Sequence, residues 1–372
     1  MSHNNSSRPL GVGIVGCGNI CNAYFHNSQP YPDLIKIVSC ADIDLERAKA
    51  KATEHKLAKG YSVKELLEDP EVDIVLNLTI PAAHATINDE ALKAGKHVYC
   101  EKPLGLVYKE ALKTMEEARK RNLKVGCAPD TVLGGGIQTC RKLIDDGAIG
   151  KPIAATANML SHSPDLWHPN PDFFFQPGAG PLFDMGPYYL TSLVTMLGPV
   201  KSVTATAATA FKQREVGSGP LKGQKIEVRT PTHLCGLLEF VQGTMATMTM
   251  SFDVWGHHQP MLEIYGTESS LQCPDPNNFN GEVQLYNKEK WEWVKTPLTH
   301  NDKTGRGLGV ADLADAIRND RAPRASGELG LHIVEIMESF LTASASGRKV
   351  EIESRPPQPE PLAPGLPLGK LA

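Results

Sequence analysis

The sequence predicts an α/β chain of two domains, a doubly wound parallel sheet followed by an α+β domain with a large open, mostly antiparallel sheet. A chain of 372 residues exceeds what one hydrophobic core ordinarily supports. Residues 10–127 alternate short apolar runs with helical patterns, as parallel sheets with crossover helices do. Residues 152–273 contain long runs rich in Thr, Val, Met and Ala that meet at turn residues, which is typical of antiparallel strands.

In the N-terminal part, each strand prediction rests on a short apolar run, and each helix prediction on a polar periodic segment. The helix over 82–94 has the clearest end, because Gly95 is a natural left-handed cap. In chain order, strands are predicted at residues 10–15, 35–41, 72–80, 96–100 and 124–127, and helices at 19–27, 45–56, 62–68, 82–94 and 109–121.

The pattern changes after residue 130. A helix is predicted over 134–147, which begins in a run of three glycines and ends at Gly147. Another helix, over 181–197, precedes most of the strands. The remaining elements are strands at residues 152–160, 201–210, 233–240, 243–253 and 261–273, and helices at 310–318 and 327–346.

These patterns divide the chain into four segments. Residues 1–9 are expected to be a disordered lead-in, 10–130 the first domain, and 131–353 the second domain. The tail, 354–372, is too rich in proline to pack as an ordinary helix or central strand. We expect it either to be mobile or to drape over a neighbour.

Composition excludes several classes of partner. The net charge is -4 and the pI is near 6.3, so no basic field attracts nucleic acid or anionic membranes. No stretch approaches the ~20 apolar residues of a membrane span, and the polar N-terminus lacks the apolar core of a secretory signal. We therefore expect a cytoplasmic protein without nucleic-acid or membrane partners.

The eight cysteines indicate neither disulfides nor a metal site. None has CxxC spacing, and several lie in apolar runs, as buried free thiols of a reducing compartment do. His and Cys residues never cluster at ligand spacing, so no metal is predicted. Cys17 and Cys21 flank a glycine loop, where they serve either redox sensing or small-residue packing.

The glycine loop follows the first strand and opens the first helix. Gly16 permits a tight turn, and Gly18 lets the backbone approach a pyrophosphate. Asn19 and Ile20 then start a helix whose N–H groups favour an anion. Asp42 ends the second strand, where an acid is expected to bind ribose hydroxyls. This combination predicts a dinucleotide site, against the alternative of a tight turn without a ligand.

Asp42 also bears on the choice of cofactor. A carboxylate repels a 2′-phosphate, and no arginine immediately follows it. Arg47 lies one helical turn later, where it is available to a phosphate. We expect NAD, with NADP less favoured.

The tripeptide Glu101-Lys102-Pro103 closes the apolar run 97–100. A lysine at the end of a strand, with a proline fixing the chain after it, serves packing poorly. It is well suited to hold a proton donor over a bound cofactor. The alternative is an ion pair between Lys102 and Glu101.

These motifs together resemble those of the Gfo/Idh/MocA oxidoreductases, over nearly the whole chain. The resemblance implies a Rossmann NAD(P)-binding domain, a second domain with a large open sheet, and oxidation or reduction of sugars and polyols. It also implies homodimers or homotetramers that bury the sheet face. The matching motifs are Gly16-Cys17-Gly18, Asp42, Thr79-Ile80-Pro81 with His84, Glu101-Lys102-Pro103, and the run from Gly180 to Tyr188.

The resemblance also implies roles for single residues. Lys102 contacts the ribose and the reacting oxygen, and its amine is expected to exchange a proton near neutral pH. Asp184 is followed four residues later by Tyr188, where relatives carry a histidine, so Tyr188 either orients the substrate or only packs. The residues expected along the nicotinamide side of the cofactor are Thr79, Pro81, His84 and Glu101, with a helix-capping role as the alternative for His84.

Two further places are candidates for substrate contacts. Asp130, after Ala128-Pro129, is expected to bind a sugar hydroxyl, with a loop cap as the alternative. The aromatic and polar segment 161–180 is a candidate sugar-binding wall, in which His168 and Asp172 bind hydroxyls. The alternative for its phenylalanines is an oligomer interface.

We therefore expect an NAD(P)-dependent dehydrogenase that acts on a secondary hydroxyl of a sugar, glycoside or cyclic polyol, with Lys102 as proton relay. One alternative is a lyase, isomerase or glycoside-processing enzyme of the same family that retains its NAD. The other is a non-catalytic NAD(P)-binding regulator.

Overall fold

A computed structural model describes residues 8–371, and the chain divides into two units. Unit 1 comprises the chain up to Gln138, residues Thr299–Val334 and the chain from Pro359 on, and unit 2 comprises Thr139–Leu298 and Glu335–Gln358. The sequence-based division at residue 130 gave no hint that 299–334 and the tail return to unit 1. Of the expected lead-in, residues 1–7 lie outside the described part, and Arg8 pairs with Asp73 at 2.8 Å.

Unit 1 contains a six-stranded sheet of parallel strands in the order β3-β2-β1-β4-β5-β6. This is the strand order of the Rossmann fold, in which ligands bind at the carboxyl edge where the order reverses, here between β1 and β4. The strands are β1 (Leu10–Val15), β2 (Ile35–Ala41), β3 (Gly60–Tyr61), β4 (Ile74–Asn77), β5 (His97–Cys100) and β6 (Val125–Cys127).

Two helices of unit 1 begin at side-chain caps, and a third is followed by a left-handed glycine. Asp44 accepts a hydrogen bond from the Arg47 N–H at the start of α2, Ser62 and Glu65 form a capping box on α3, and Gly95 adopts φ +79° after α4. The helices are α1 (Cys21–Asn27), α2 (Leu45–Glu54), α3 (Val63–Glu68), α4 (His84–Lys93), α5 (Tyr108–Arg121) and, later in the chain, α8 (Leu308–Arg318); α6 (Gly135–Asp145) and α9 (Gly327–Ser346) carry the chain from one unit into the other.

Hydrogen bonds attach the later segments to unit 1. The Cys127 N–H donates to the Ala325 carbonyl at 2.9 Å. In the tail, the Leu362 N–H donates to Oε1 of Gln138 at 2.8 Å, and Leu371 is buried. The part of the tail from Pro359 on therefore packs on unit 1, and the part up to Gln358 belongs to unit 2.

Unit 2 is built on a nine-stranded sheet in the order β16-β15-β14-β13-β7-β12-β11-β8-β17. Only the pair β7–β12 is parallel, so the sheet is mostly antiparallel, as predicted. Its strands are β7 (Pro152–Leu160), β8 (Val200–Ala208), β11 (His233–Phe240), β12 (Met245–Ser251), β13 (Leu262–Gly266), β14 (Ser270–Cys273), β15 (Val283–Asn287), β16 (Glu292–Thr296) and β17 (Val350–Glu351); β9 (Gln213–Glu215) and β10 (Lys225–Glu227) form a separate hairpin.

One face of this sheet is covered by helix α7 (Gly180–Leu197), which packs on β7, β11 and β12. Every residue of α7 is buried except Asp184 and Met185. Leu237 on β11 and Met245 on β12 are 55% and 61% exposed, so apolar surface on the sheet remains uncovered within unit 2. Among the described residues, no helix is both long and apolar enough to cross a membrane.

Candidate active site

A cavity of about 610 Å³ opens in unit 1 at the carboxyl ends of β1 and β4. Its size is typical of cofactor sites, which range over roughly 300–1,000 Å³. The walls that matter for binding come from the glycine loop, the end of β2 and the turn after β4: Gly16, Gly18, Asp42, Arg47, Thr79 and Ile80.

The two loop glycines have different reasons to be glycine. Gly16 adopts φ +103°, and a Cβ there would lie 2.7 Å from the backbone of Leu78. A Cβ on Gly18 would meet nothing within 4 Å, so that position opens onto the cavity. Asn19 is exposed, and no side chain caps α1 at Ile20. The loop thus leaves space and uncapped N–H groups that fit a dinucleotide pyrophosphate.

Asp42 is fixed to this loop. Its Oδ2 accepts a hydrogen bond from the Cys17 N–H at 2.8 Å, and its Oδ1 accepts one from the Asp44 N–H at 3.0 Å. Nη1 of Arg47 lies 3.4 Å from the same Oδ1, and Nη2 lies 3.5 Å from Asp44. The carboxylate expected to bind a ribose is therefore held in place on the cavity wall, with a half-exposed guanidinium beside it.

The turn after β4 is shaped by Asn77, which is fully buried. Its Oδ1 accepts hydrogen bonds from the N–H and hydroxyl of Thr79, and its Nδ2 donates to the carbonyl of His84 and to Asn88. Thr79 lines the cavity as expected. Pro81 is exposed and starts a 3-10 turn, while Ile80 and Ala83 supply the cavity wall at this point.

His84 is only 1% exposed and does not line the cavity. It follows the 3-10 turn Pro81–Ala83 as the first residue of α4, and its backbone N–H donates to the Pro81 carbonyl at the end of the turn. Its Nδ1 lies 2.6 Å from the carbonyl oxygen of Pro103, and its Nε2 lies 3.0 Å from that of Thr79. Burial opposes protonation, but the neighbouring Cys100 thiol and the two carbonyls outweigh it and raise the pKa of His84 to about 9.

The side chain of Glu101 holds the backbone at Lys102 through a hydrogen bond. Its Oε2 accepts a hydrogen bond from the Lys102 backbone N–H at 2.9 Å, and its Oε1 accepts one from the Tyr24 hydroxyl at 2.8 Å. Nη1 of Arg306 lies 3.6 Å from the same Oε1. These bonds make Glu101 a buried anchor of the backbone at Lys102. Lys102 itself is half-buried.

Asp130 lies deeper than expected. It is fully buried, and its Oδ2 accepts hydrogen bonds from the N–H groups of Gly307 and Gly309, both at 3.0 Å. Burial raises the pKa of its carboxyl, opposed by Arg306. The expected sugar contact is therefore replaced by an anchor for the returning segment. No local pattern predicts this contact, because 177 residues separate Asp130 from Gly307.

In unit 2, the two unburied residues of α7 line a cavity of about 220 Å³. Tyr189 also lines it, whereas Tyr188 is buried and is not part of its wall. Burial and the neighbouring Asp275 raise the pKa of Tyr189. The polar and aromatic wall, beyond Asp184 and Tyr189, consists of Asn158, Ser161, Trp167, Phe252, His257 and Asp275.

The aromatic segment contributes to this cavity through Trp167, not through the residues expected. His168 lies edge-on to Phe173 and Phe174, and its Nδ1 accepts a hydrogen bond from the Asn170 N–H. Asp172 accepts one from Gln176. Both polar side chains therefore stabilise the segment itself.

Arg214, which sequence reasoning missed, anchors this segment. It is buried, and its guanidinium pairs with Asp253 and lies 3.7 Å from Asp165. It also lies over the ring of Phe211, 4.6 Å from the centroid. No local sequence pattern predicts that an arginine in a polar strand pairs with aspartates such as Asp165 and Asp253. Among the described residues, no group of three or more His, Cys, Asp or Glu side chains is arranged to hold a metal.

Two family models match the chain. Residues 10–128 match an oxidoreductase family with an NAD-binding Rossmann fold, and residues 137–272 match the GFO/IDH/MocA C-terminal domain. Together they cover more than half of the chain.

Curated relatives and solved structures agree with these matches. The 1,5-anhydro-D-fructose reductase of Ensifer adhaerens is 27% identical over 330 residues, 86% of this chain and 92% of the relative. The levoglucosan dehydrogenase of Pseudarthrobacter phenanthrenivorans is 24% identical over 292 residues, 70% of this chain and 73% of the relative. A levoglucosan dehydrogenase structure with NADH and levoglucosan shares the fold, with a TM-score of 0.80 and 20% identity over 93% of this chain and all (100%) of that one.

Proposed function

The chain belongs to the GFO/IDH/MocA oxidoreductase family, and on that premise we propose that it is an NAD-dependent dehydrogenase of sugars, glycosides or cyclic polyols. The observation that carries the proposal is the cavity of unit 1, in which Gly18 leaves space for a pyrophosphate and Asp42 is fixed beside it. When bound, NAD would supply the hydride acceptor for oxidation of the substrate carbon and, in its reduced form, the hydride donor for reduction.

Lys102 is the proposed proton relay. During oxidation, the proton of the substrate hydroxyl passes to its amine as the hydride leaves the same carbon, and reduction reverses both transfers. This role requires a precise backbone position. The bond from the Lys102 N–H to Glu101, which is itself tied to Tyr24, supports that position. In unit 2, Asp184 lines the cavity and is proposed to orient a substrate hydroxyl. Tyr188 is buried outside the cavity wall, and its proposed orienting role is the one that Tyr188→Phe tests.

NAD is the proposed physiological cofactor in preference to NADP. The carboxylate of Asp42 accepts hydroxyl donors and repels a 2′-phosphate. Arg47 is already paired with Asp42 and Asp44, which reduces its availability to a phosphate.

The substrate class follows from the unit 2 cavity and from the relatives. Trp167 offers an aromatic face, while Asn158, Asp184 and Asp275 offer hydrogen-bonding groups on the same wall. This combination suits a ring with several hydroxyls. Relatives named for 1,5-anhydro-D-fructose, levoglucosan and inositol act on such compounds.

Assembly and location complete the proposal. The uncovered Leu237 and Met245 make the sheet face of unit 2 the proposed contact of a homodimer or homotetramer. A cytoplasmic location is consistent with seven buried free cysteines.

The test is a panel of anhydrosugars, inositols and glycosides, followed by NADH absorbance with NAD and with NADP. We expect turnover with at least one cyclic polyol, and a reduction of at least ~10²-fold in Lys102→Met with NADH affinity nearly unchanged. Lys109→Met, at an exposed position, is the matched control. Full turnover in Lys102→Met would remove the proton-relay role. An enzyme that purifies with bound NAD and turns over substrate without net NADH would instead be the NAD-retaining lyase or isomerase.

A further inference from the structure

His84 is the first residue of α4, and both nitrogens of its ring face carbonyl oxygens. Nδ1 lies 2.6 Å from the oxygen of Pro103, and Nε2 lies 3.0 Å from that of Thr79. The side chain is 1% exposed, so water is not available to replace either partner.

A neutral imidazole has one N–H donor and one lone-pair acceptor. Carbonyl oxygens only accept, so a neutral ring in this position would set its lone pair against one of them. That contact is repulsive, and it would leave a buried polar atom without a donor. Only the imidazolium, with an N–H on each nitrogen, satisfies both contacts.

The surroundings tolerate this charge. Cys100, at the end of β5, is the titratable group that most favours the protonated ring. Asn77, on β4, donates to the backbone carbonyl of His84 and not to a ring nitrogen. Lys102 is the charged residue next in sequence to the bonded Pro103.

We propose that His84 is an imidazolium in the working protein, and that its two N–H donors fasten the Lys102–Pro103 turn to the Thr79 turn. Thr79 lines the cofactor cavity, so the cation links the cavity wall to the backbone that carries the proton relay. His84 is thereby a positioning residue that acts through Lys102, and this last step rests on the proposed function.

His97 provides an internal comparison. It is also largely buried in unit 1, but its Nδ1 accepts a hydrogen bond from the Lys124 N–H at 2.9 Å. Burial lowers the pKa of His97 to about 4. Two histidines of the same sheet domain are therefore in opposite protonation states at neutral pH.

The first experiment is long-range ¹H–¹⁵N NMR of the wild-type protein labelled at histidine, with His84 assigned through its own Cβ. At pH 7.5 we expect protons on both ring nitrogens of His84 and on one ring nitrogen of His97. A His84 ring with a single protonated nitrogen would overturn the proposal. This measurement needs no substrate and no variant, so its outcome does not depend on the proposed activity.

The second experiment compares His84→Gln with His97→Gln by amide hydrogen exchange. Losing a charged donor to the Pro103 carbonyl is expected to speed exchange in residues 104–107 by at least ~10-fold in His84→Gln, and to leave it unchanged in His97→Gln. Unchanged exchange in a folded His84→Gln would show that the ring does not hold the turn.

The functional step has its own readout. With any substrate that the panel identifies, His84→Gln is expected to lower kcat by at least ~10-fold and to change the NADH Kd by less than ~2-fold. A loss of NADH affinity without a change in kcat would make His84 a support of the cavity wall alone. If the panel finds no substrate, the NMR and exchange experiments still decide the charge and the attachment.

Discussion

Oδ2 of Asp42 and the backbone N–H of Cys17 form a hydrogen bond of 2.8 Å. It joins the end of β2 to the middle of the glycine loop. One side chain therefore both shapes the loop proposed to receive a pyrophosphate and presents the acid proposed to bind the adjoining ribose.

The charge of Asp42 is expected to set cofactor preference. In Asp42→Asn, an amide oxygen remains to accept from the Cys17 N–H, but the negative charge is lost. We expect the NADH Kd to rise about 10-fold, and the preference for NADH over NADPH to fall by at least that factor. Titrations of cofactor fluorescence measure both. Asp44→Asn, at an exposed cap of α2, is the control, and an unchanged preference in Asp42→Asn would contradict the prediction.

Alanine substitutions at Gly16 and Gly18 are expected to have different effects. Gly16→Ala places a Cβ 2.7 Å from the Leu78 backbone at φ +103°, so it should lower the Tm and reduce NADH binding together. Gly18→Ala meets nothing within 4 Å and should fold normally, yet weaken NADH binding at least ~10-fold by filling the pyrophosphate space. Calorimetry and NADH titration separate the two outcomes. Normal affinity in Gly18→Ala would place the cofactor elsewhere.

Tyr188→Phe tests the departure from the family histidine. Phe preserves the packing of this buried side chain and removes its hydroxyl. If the hydroxyl orients the substrate, kcat/KM should fall at least ~10-fold with little change in Tm. Tyr189→Phe, on the wall of the unit 2 cavity, is the comparison and should act mainly on KM. Unchanged kcat/KM in Tyr188→Phe would show that Tyr188 only packs.

His84 and His97 are expected to make the free energy of unfolding depend on pH, His84 above pH 6.5 and His97 below it. The pKa of His84 is raised to about 9, so its contribution is complete below pH 6.5 and is lost as pH rises toward 9. The pKa of His97 is lowered to about 4, so its contribution is complete above pH 6.5 and is lost as pH falls toward 4.

We therefore expect these two groups to give the highest Tm near pH 6.5. At either extreme, loss of one histidine's contribution is expected to lower the free energy of unfolding by about 2 kcal/mol or less. Calorimetry from pH 5 to 8.5 measures the profile. His84→Gln should flatten the alkaline side only, and His97→Gln the acidic side only. An alkaline side unchanged by His84→Gln would indicate that this ring does not titrate in that range.

Local patterns predicted most elements of the fold. Strands β7 and β11 and helix α9 have the predicted bounds. In β7, buried and less buried residues alternate, as the pattern predicts for a strand. Strand β16 was missed, since it is exposed along most of its length and shows no apolar alternation. The glycine loop and Asp42 were also predictable, because their roles depend on a single βα turn.

The contacts that the sequence did not predict join residues far apart along the chain. Asp130 faces Gly307 and Gly309, and Glu101 faces Tyr24 and Arg306. His84 is closer in sequence to its partners, but only the folded turn shows that both ring nitrogens meet carbonyls. Side-chain chemistry identified the right region of the chain, and tertiary contacts decided which groups face the cavity.

Residues 299–334 and 359–371 belong to unit 1, and this affects when unit 1 folds during synthesis. A nascent chain that has emerged as far as residue 138 already has all six strands of the first sheet, but lacks the partners of Asp130 and Glu101 contributed by residues 306–309. Unit 1 therefore completes its folding only after residues 299–334 and 359–371 have left the ribosome. Expression of residues 1–138 alone should yield an incompletely folded fragment.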